Sequence, residues 1–139
     1  MSDKKVFNNL AVKDLQKSIA FFTKLGYTFN SQFTDETATC MIISENIYSM
    51  LLTHEKFQSF LPPGRAIGDT KQATEVLIAL NQESRAEVDD VVNKAIAAGA
   101  KPFRDPADHG FMYERSFQDL DGHVWEHFWM DPTVLQPQA

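Results

Sequence analysis

The apolar positions of this chain follow two periods, and the periods succeed one another in the same order in both halves. Val6 to Val12 alternates, as a strand does. Asp14 follows as a candidate N-cap, and Leu15, Ile19, Phe22 and Leu25 then recur at helical spacing. Gly26 stands where a helix would end on a left-handed residue. Residues 27–33, 37–44 and 47–53 alternate again and predict three strands, the last two joined by a turn at Glu45-Asn46. Residues 54–73 break the pattern. Pro62-Pro63-Gly64 and Gly68-Asp69 punctuate them, with Phe57, Phe60 and Leu61 between, so the stretch reads as a connector with a short helix or a lid. Its glycines lack the Lys and Ser/Thr of a phosphate loop.

The pattern then restarts. Residues 74–81 predict a strand, and Ser84 with Glu87 predicts a capping box. Val88, Val91, Ala95 and Ile96 form the apolar stripe of a helix closed by Gly99. Residues 101–104 predict a short strand, 105–110 a loop and 111–118 a further strand. A turn at Asp121-Gly122 leads into the last strand, which Pro132 ends by removing a donor. His123, Trp125, His127 and Trp129 share one face of that strand; Val124, Glu126, Phe128 and Met130 share the other. A carboxylate at position 126 among apolar neighbours is either an exposed edge position or a functional acid lining a cleft.

Each half therefore reads as strand, helix, strand, strand, strand. Leu10-Ala11-Val12 matches Ile78-Ala79-Leu80 at an offset of 68 residues, and the same offset pairs Phe7 with Glu75. The helix-closing glycines, 26 and 99, differ by 73, so the second copy carries about five more residues between strand and helix. The expected organisation is one α+β domain over 1–139, with module one at 4–53, a connector at 54–73 and module two at 74–130. Two tandem βαβββ modules can pair their strands into a curved mixed sheet, with a concave cleft and outer helices.

Composition narrows the partners. The net charge is −6, which disfavours a nucleic-acid backbone and leaves a cationic ligand open. No apolar run is long enough to span a membrane, and the N-terminus lacks the apolar core of a secretion signal. One cysteine, Cys40, in an apolar run, fits a small buried hydrophobe and a reducing cytoplasm. His123 and His127 lie four residues apart, about 13 Å along a strand, too far to share one ion, so they read as structural. Asp119 and Asp121 read as turn residues. The tail, 134–139, is expected to fray.

Three stretches, 10–26, 95–100 and 117–126, together resemble the vicinal oxygen chelate superfamily, which includes glyoxalase I, bleomycin- and fosfomycin-resistance proteins and extradiol dioxygenases. The third has Asp119-Leu120-Asp121-Gly122 where the family usually has Asp-Pro-Asp-Gly. In metal-dependent members, His, Gln or Glu ligands come from the first and fourth strands of each half. Carried over, those positions are Phe7, Leu51, Glu75 and Glu126. Phe7 and Leu51 have no lone pair to give, so the resemblance implies an incomplete set. Glu75 and Glu126 would hold Mg²⁺, Mn²⁺, Ni²⁺ or Zn²⁺ weakly, with His109, His54 or Asn9 as a third ligand, or no metal at all. The absence of histidine at all four positions argues against an iron dioxygenase.

By alternation, Phe7, Asn9, Leu51, Leu77 and Phe128 would line the cleft, with Tyr113, Phe111 and Met112 on the adjacent strand. Such a wall suits a small apolar or aromatic molecule. One function is then a metal-assisted isomerase, lyase or transferase in which Glu75 or Glu126 moves a proton. The alternative is a metal-free protein that sequesters a small molecule or drug, with each Glu neutralised by Arg104 or Arg115. A third is a structural βαβββ module without chemistry. The resemblance also implies a homodimer, with the Trp125 and Trp129 face or the helix exteriors as contacts.

Overall fold

A strand, a helix and further strands are laid down twice, with three strands after the helix in the first copy and four in the second. The computed structural model describes residues 3–135. The chain divides into two compact units, the first ending at Asp69 and the second beginning at Thr70. The first contains β1 (Val6–Val12), α1 (Leu15–Lys24), β2 (Thr28–Asn30), β3 (Ala38–Ser44), β4 (Ile47–Thr53) and α2 (His54–Gln58). The second contains β5 (Leu77–Asn81), α3 (Arg85–Ala97), β6 (Lys101–Pro102), β7 (Ala107–Asp108), β8 (Met112–Gln118) and β9 (Val124–Met130). Pro132–Leu135 form a short 3-10 helix, and the remainder of the tail lies outside the described residues.

The strands form two sheets, one in each unit. The orders are β1-β4-β3-β2 and β5-β9-β8-β6, with β7 pairing β8 off that path. In each sheet the first strand runs parallel to the last, and the other pairs are antiparallel. The shared topology is the structural counterpart of the sequence repeat, and the class is α+β. Among the described residues, no helix is long and apolar enough to cross a membrane.

The helix ends follow their capping residues. The Asp14 carboxylate accepts the Lys17 N–H at 3.1 Å, and Gly26 has φ 103° just past the end of α1. Ser84 Oγ accepts the Glu87 N–H at 3.1 Å. Glu87 returns its bond to the Glu83 N–H, at 2.8 Å, one residue earlier than a capping box requires. The strand expected at 27–33 stops at Asn30. The Asn30 side chain accepts the Gln32 N–H at 2.9 Å, and this local bond turns the backbone into the 3-10 helix Ser31–Phe33.

The helices bury one stripe each. On α1 the buried residues are Leu15, Ser18, Phe21 and Phe22, so Ile19 is displaced to the margin. On α3 they are Val88, Val91, Val92 and Ala95, the i, i+3, i+4, i+7 set. Val92 replaces the expected Ile96. Cys40 is buried and free, as a small hydrophobe.

α3 packs on β8 and β9. Beneath it, His127 is fully buried and its ring stacks on Phe117, with centroids 5.7 Å apart. Its Nδ1 lies 3.1 Å from Gln82 Nε2, and its Nε2 has no hydrogen-bond partner. Burial lowers its pKa to about 4. An unfolded histidine titrates near 6.5, so the unfolded chain holds more protons between these values. Stability should therefore fall as pH drops from about 6.5 to about 4, by up to about 1.4 kcal/mol per pH unit from this residue. Urea unfolding across that window should show the slope in the wild type, and His127→Phe should flatten it.

Candidate functional site

The turn between β8 and β9 sets which side chains share a face. Asp119 is buried, and its Oδ1 accepts the N–H groups of Asp121 at 2.9 Å and His123 at 3.0 Å. Its Oδ2 accepts the indole N–H of Trp125 at 2.9 Å. Burial pushes the Asp119 carboxyl above its ordinary pKa, opposed by the His123 charge and the Trp125 and Asp121 hydrogen bonds. Gly122 has φ 88°, and a Cβ there would lie 2.8 Å from the Thr70 carbonyl oxygen, so only glycine fits the turn. With the turn held, β8 and β9 pair from Gln118 opposite Val124 to Met112 opposite Met130.

Alternation then sorts the residues. Tyr113, Arg115 and Phe117 face α3, as do their partners Trp129, His127 and Trp125. Tyr113 Oη donates to Asp89 of α3 at 2.6 Å; Arg115 donates to Asp89 and Asn93, each at 3.0 Å. Tyr113 holds Asp89 below the usual carboxylate range, helped by Arg115. The opposite face carries Glu114 and Ser116 of β8, Glu126 and Phe128 of β9, and Leu77 and Ala79 of β5. Met112 and Met130 extend it.

On that face Glu126 is 8% exposed. Arg104, just past β6, reaches it. One nitrogen, Nη2, donates both to Glu126 Oε2 and to Glu114 Oε1, the latter at 3.1 Å. The Arg104 side chain remains 47% exposed, against 11% for Glu126 and 19% for Glu114. Ser116, directly opposite Glu126 in register, is 4% exposed, and its Oγ has no hydrogen-bond partner.

Several expected positions need correction. Glu75 is exposed and precedes β5, which begins at Leu77 rather than at residue 74. No hydrogen bond or ion pair joins it to Glu126. The parallel register explains why: extended backwards, it would set Glu75 against Gly122, a turn residue that cannot continue the ladder. Leu51 does not share a face with Phe7. It is fully buried and pairs with Leu10, whereas Phe7 pairs with Tyr48, its ring stacked at 4.7 Å. The repeat offset makes Ala11 the counterpart of Ala79; Leu52 lies opposite Ala11 as Glu126 lies opposite Ala79, so Leu52 is the true counterpart of Glu126. Tyr113 lies on the α3 side, away from Glu126. Trp125 is 1% exposed, covered by its own chain, and offers no surface to a partner.

The other positions fall as follows. Phe7 and Asn9 are exposed on one face of β1, and the Asn9 amide donates to the Phe7 carbonyl at 3.1 Å. Leu77, 50% exposed, and half-buried Phe128 do share the Glu126 face. His54 opens α2 and is exposed. His109 is exposed with its ring 6.2 Å from that of Phe111. Glu114 and Ser116 were not singled out by the sequence; alternation on β8 could have found them once the hairpin register was known.

A divalent ion at Glu126 would need several oxygen or nitrogen donors converging on it. Among the described residues, no group of three His, Cys, Asp or Glu does so. The carboxylate instead accepts from a guanidinium, which would have to leave before an ion could enter. The side chains present do not fit a metal centre of the kind the resemblance implies.

Comparison with known proteins agrees with the topology. The family described as Bleomycin resistance protein-like N-terminal matches residues 4–44. The hypothetical protein SA1046 from S. aureus is 30% identical with a TM-score of 0.75, over 93% of this chain and 95% of that one. A glyoxalase/bleomycin resistance protein/dioxygenase family enzyme from Burkholderia phytofirmans PsJN has a TM-score of 0.75 at 17% identity, over 92% and 99%. The genomically encoded fosfomycin resistance protein FosX from Listeria monocytogenes has 0.66 at 20%, over 99% and 97%. These last two likenesses are of fold. A search of the curated proteins found no match.

The Asp119 clamp should be worth measuring directly. Asp119→Ala strands the buried Trp125 indole N–H and frees two turn N–H groups, so it should lower stability by about 2–3 kcal/mol in urea unfolding. Asp119→Asn, which keeps an acceptor oxygen, should cost less.

Proposed function

We propose that this chain is a member of the vicinal oxygen chelate superfamily that binds a small organic molecule without a resident metal and without chemistry. The binding surface is the Glu126 face of the second unit. One observation carries this reading: the acid at a position where the superfamily's metal-dependent members hold a ligand is already held by Arg104. A carboxylate tied to a guanidinium is poorly placed to join the coordination shell of a metal ion or to take a proton from a substrate. The same face offers apolar contact at Leu77 and Phe128 beside three charged groups. Apolar wall with a few fixed polar groups is the usual make-up of a small-molecule site. Some similar structures are described as fosfomycin resistance proteins, which supports a small organic molecule as the ligand. Assembly as a homodimer is part of the proposal.

Equilibrium dialysis against Mn²⁺, Ni²⁺ and Zn²⁺ tests the metal. No stoichiometric ion should be retained, and a chelator should leave the melting temperature unchanged. One equivalent per chain, lost in Glu126→Ala, would contradict the proposal. A panel of small aromatic molecules tests the ligand. A binder at a hundredfold excess over its Kd should add about 2.7 kcal/mol and raise melting by several degrees. Phe128→Ala should abolish that rise.

A further inference from the structure

Three features of the Glu126 face remain unaccounted for by the Arg104 contact alone. Two carboxylates, Glu114 and Glu126, share one guanidinium, so the cluster keeps a charge of −1. Arg104 meets both through a single nitrogen rather than the two-pronged fork that makes arginine–carboxylate pairs strong, and it stays half exposed. Ser116 Oγ, opposite Glu126 on the same face, is buried without a partner. The other buried polar atoms without a partner among the described residues are Ser49 Oγ and His127 Nε2, and neither residue has a carboxylate as its cross-strand neighbour. A buried hydroxyl left unmatched costs free energy, and here it sits beside an excess of acceptors. What the cluster lacks is donors.

We propose that this cluster takes a primary ammonium group, which replaces Arg104 between Glu114 and Glu126 and donates its third N–H to Ser116 Oγ. An R–NH₃⁺ group has three donors, matching the three acceptors, and its charge cancels the surplus carboxylate. The apolar part of the ligand lies against Leu77 and Phe128 on the same face. Arg104 is then a placeholder that keeps Glu126 paired when no ligand is bound and swings aside when one arrives. This inference rests on the proposed small-molecule role and names the ligand class.

The test is calorimetric titration of the full chain at pH 7 with 2-phenylethylamine, its N,N,N-trimethyl analogue, 2-phenylethanol and phenylacetate. The amine should bind at least about tenfold more tightly than each of the others, since only it brings both charge and three N–H donors. Ser116→Ala should weaken the amine about tenfold and leave the alcohol unchanged. Arg104→Gln, by removing the competing cation, should tighten the amine about tenfold, the reverse of what a ligand-contacting arginine would do. Should Arg104→Gln fail to fold by circular dichroism, the four-ligand comparison and Ser116→Ala decide the matter. Equal affinity for amine and alcohol, or for amine and trimethyl analogue, overturns the proposal. Binding of alcohol or phenylacetate without the amine overturns the ammonium assignment alone. Failure of all four ligands to bind overturns it together with the small-molecule reading.

Discussion

A carboxylate withdrawn from water on the face of a sheet must be matched by a cation or by several donors, because its charge is otherwise too costly to keep. Glu126 is such a group, and Arg104 is its match. The arginine comes from beyond the edge strand β6 and crosses the position of β8 to reach β9. In doing so it gathers Glu114 as well, and the two acids and one base become the charged centre of that face. The chemistry open to this face follows from that single pairing: the acid is free neither for a metal ion nor for a proton.

The opposite face of the same strands shows what alternation makes of the remaining residues. Phe117, Trp125 and His127 go beneath α3, and Tyr113 and Arg115 hold the helix through Asp89. The Asp119 clamp joins the two faces, since it fixes the hairpin turn and the Trp125 ring together. A slip of one residue in this hairpin would send Glu126 under the helix and Trp125 into its place. The buried acceptor at Asp119 is therefore as much a part of the site as the residues that line it, although it touches nothing there.

The period of apolar residues was enough to read the repeat, the order of the longer elements, and β1 and β4 to the residue, but not β7, which lies in the stretch expected as a loop. Local chemistry did the same for the caps at Asp14 and Ser84 and the closing glycines. What alternation alone leaves open is register. Leu51 and Leu52 are both apolar and both buried, so no pattern in the sequence says which one is the counterpart of Glu126; the pairing with β1 does. Glu75 fails for a related reason. It sits at the right offset from Phe7, but its opposite number is a turn glycine, and the strand starts only once Val124 is available to pair. Arg104 was legible as a candidate for neutralising an acid. Glu114 and Ser116 were not, because their place beside Glu126 depends on a hairpin register that only the folded turn defines.

The most direct measurement is a double-mutant cycle between Arg104 and Glu126, read by urea unfolding at neutral pH for Arg104→Met, Glu126→Gln and the pair. If the guanidinium is what keeps the buried acid charged, Arg104→Met should be the costlier single change, and the two should be coupled by about 1–3 kcal/mol. Additive effects, with no coupling beyond about 0.3 kcal/mol, would mean that Glu126 does not depend on Arg104. The site would then need another cation.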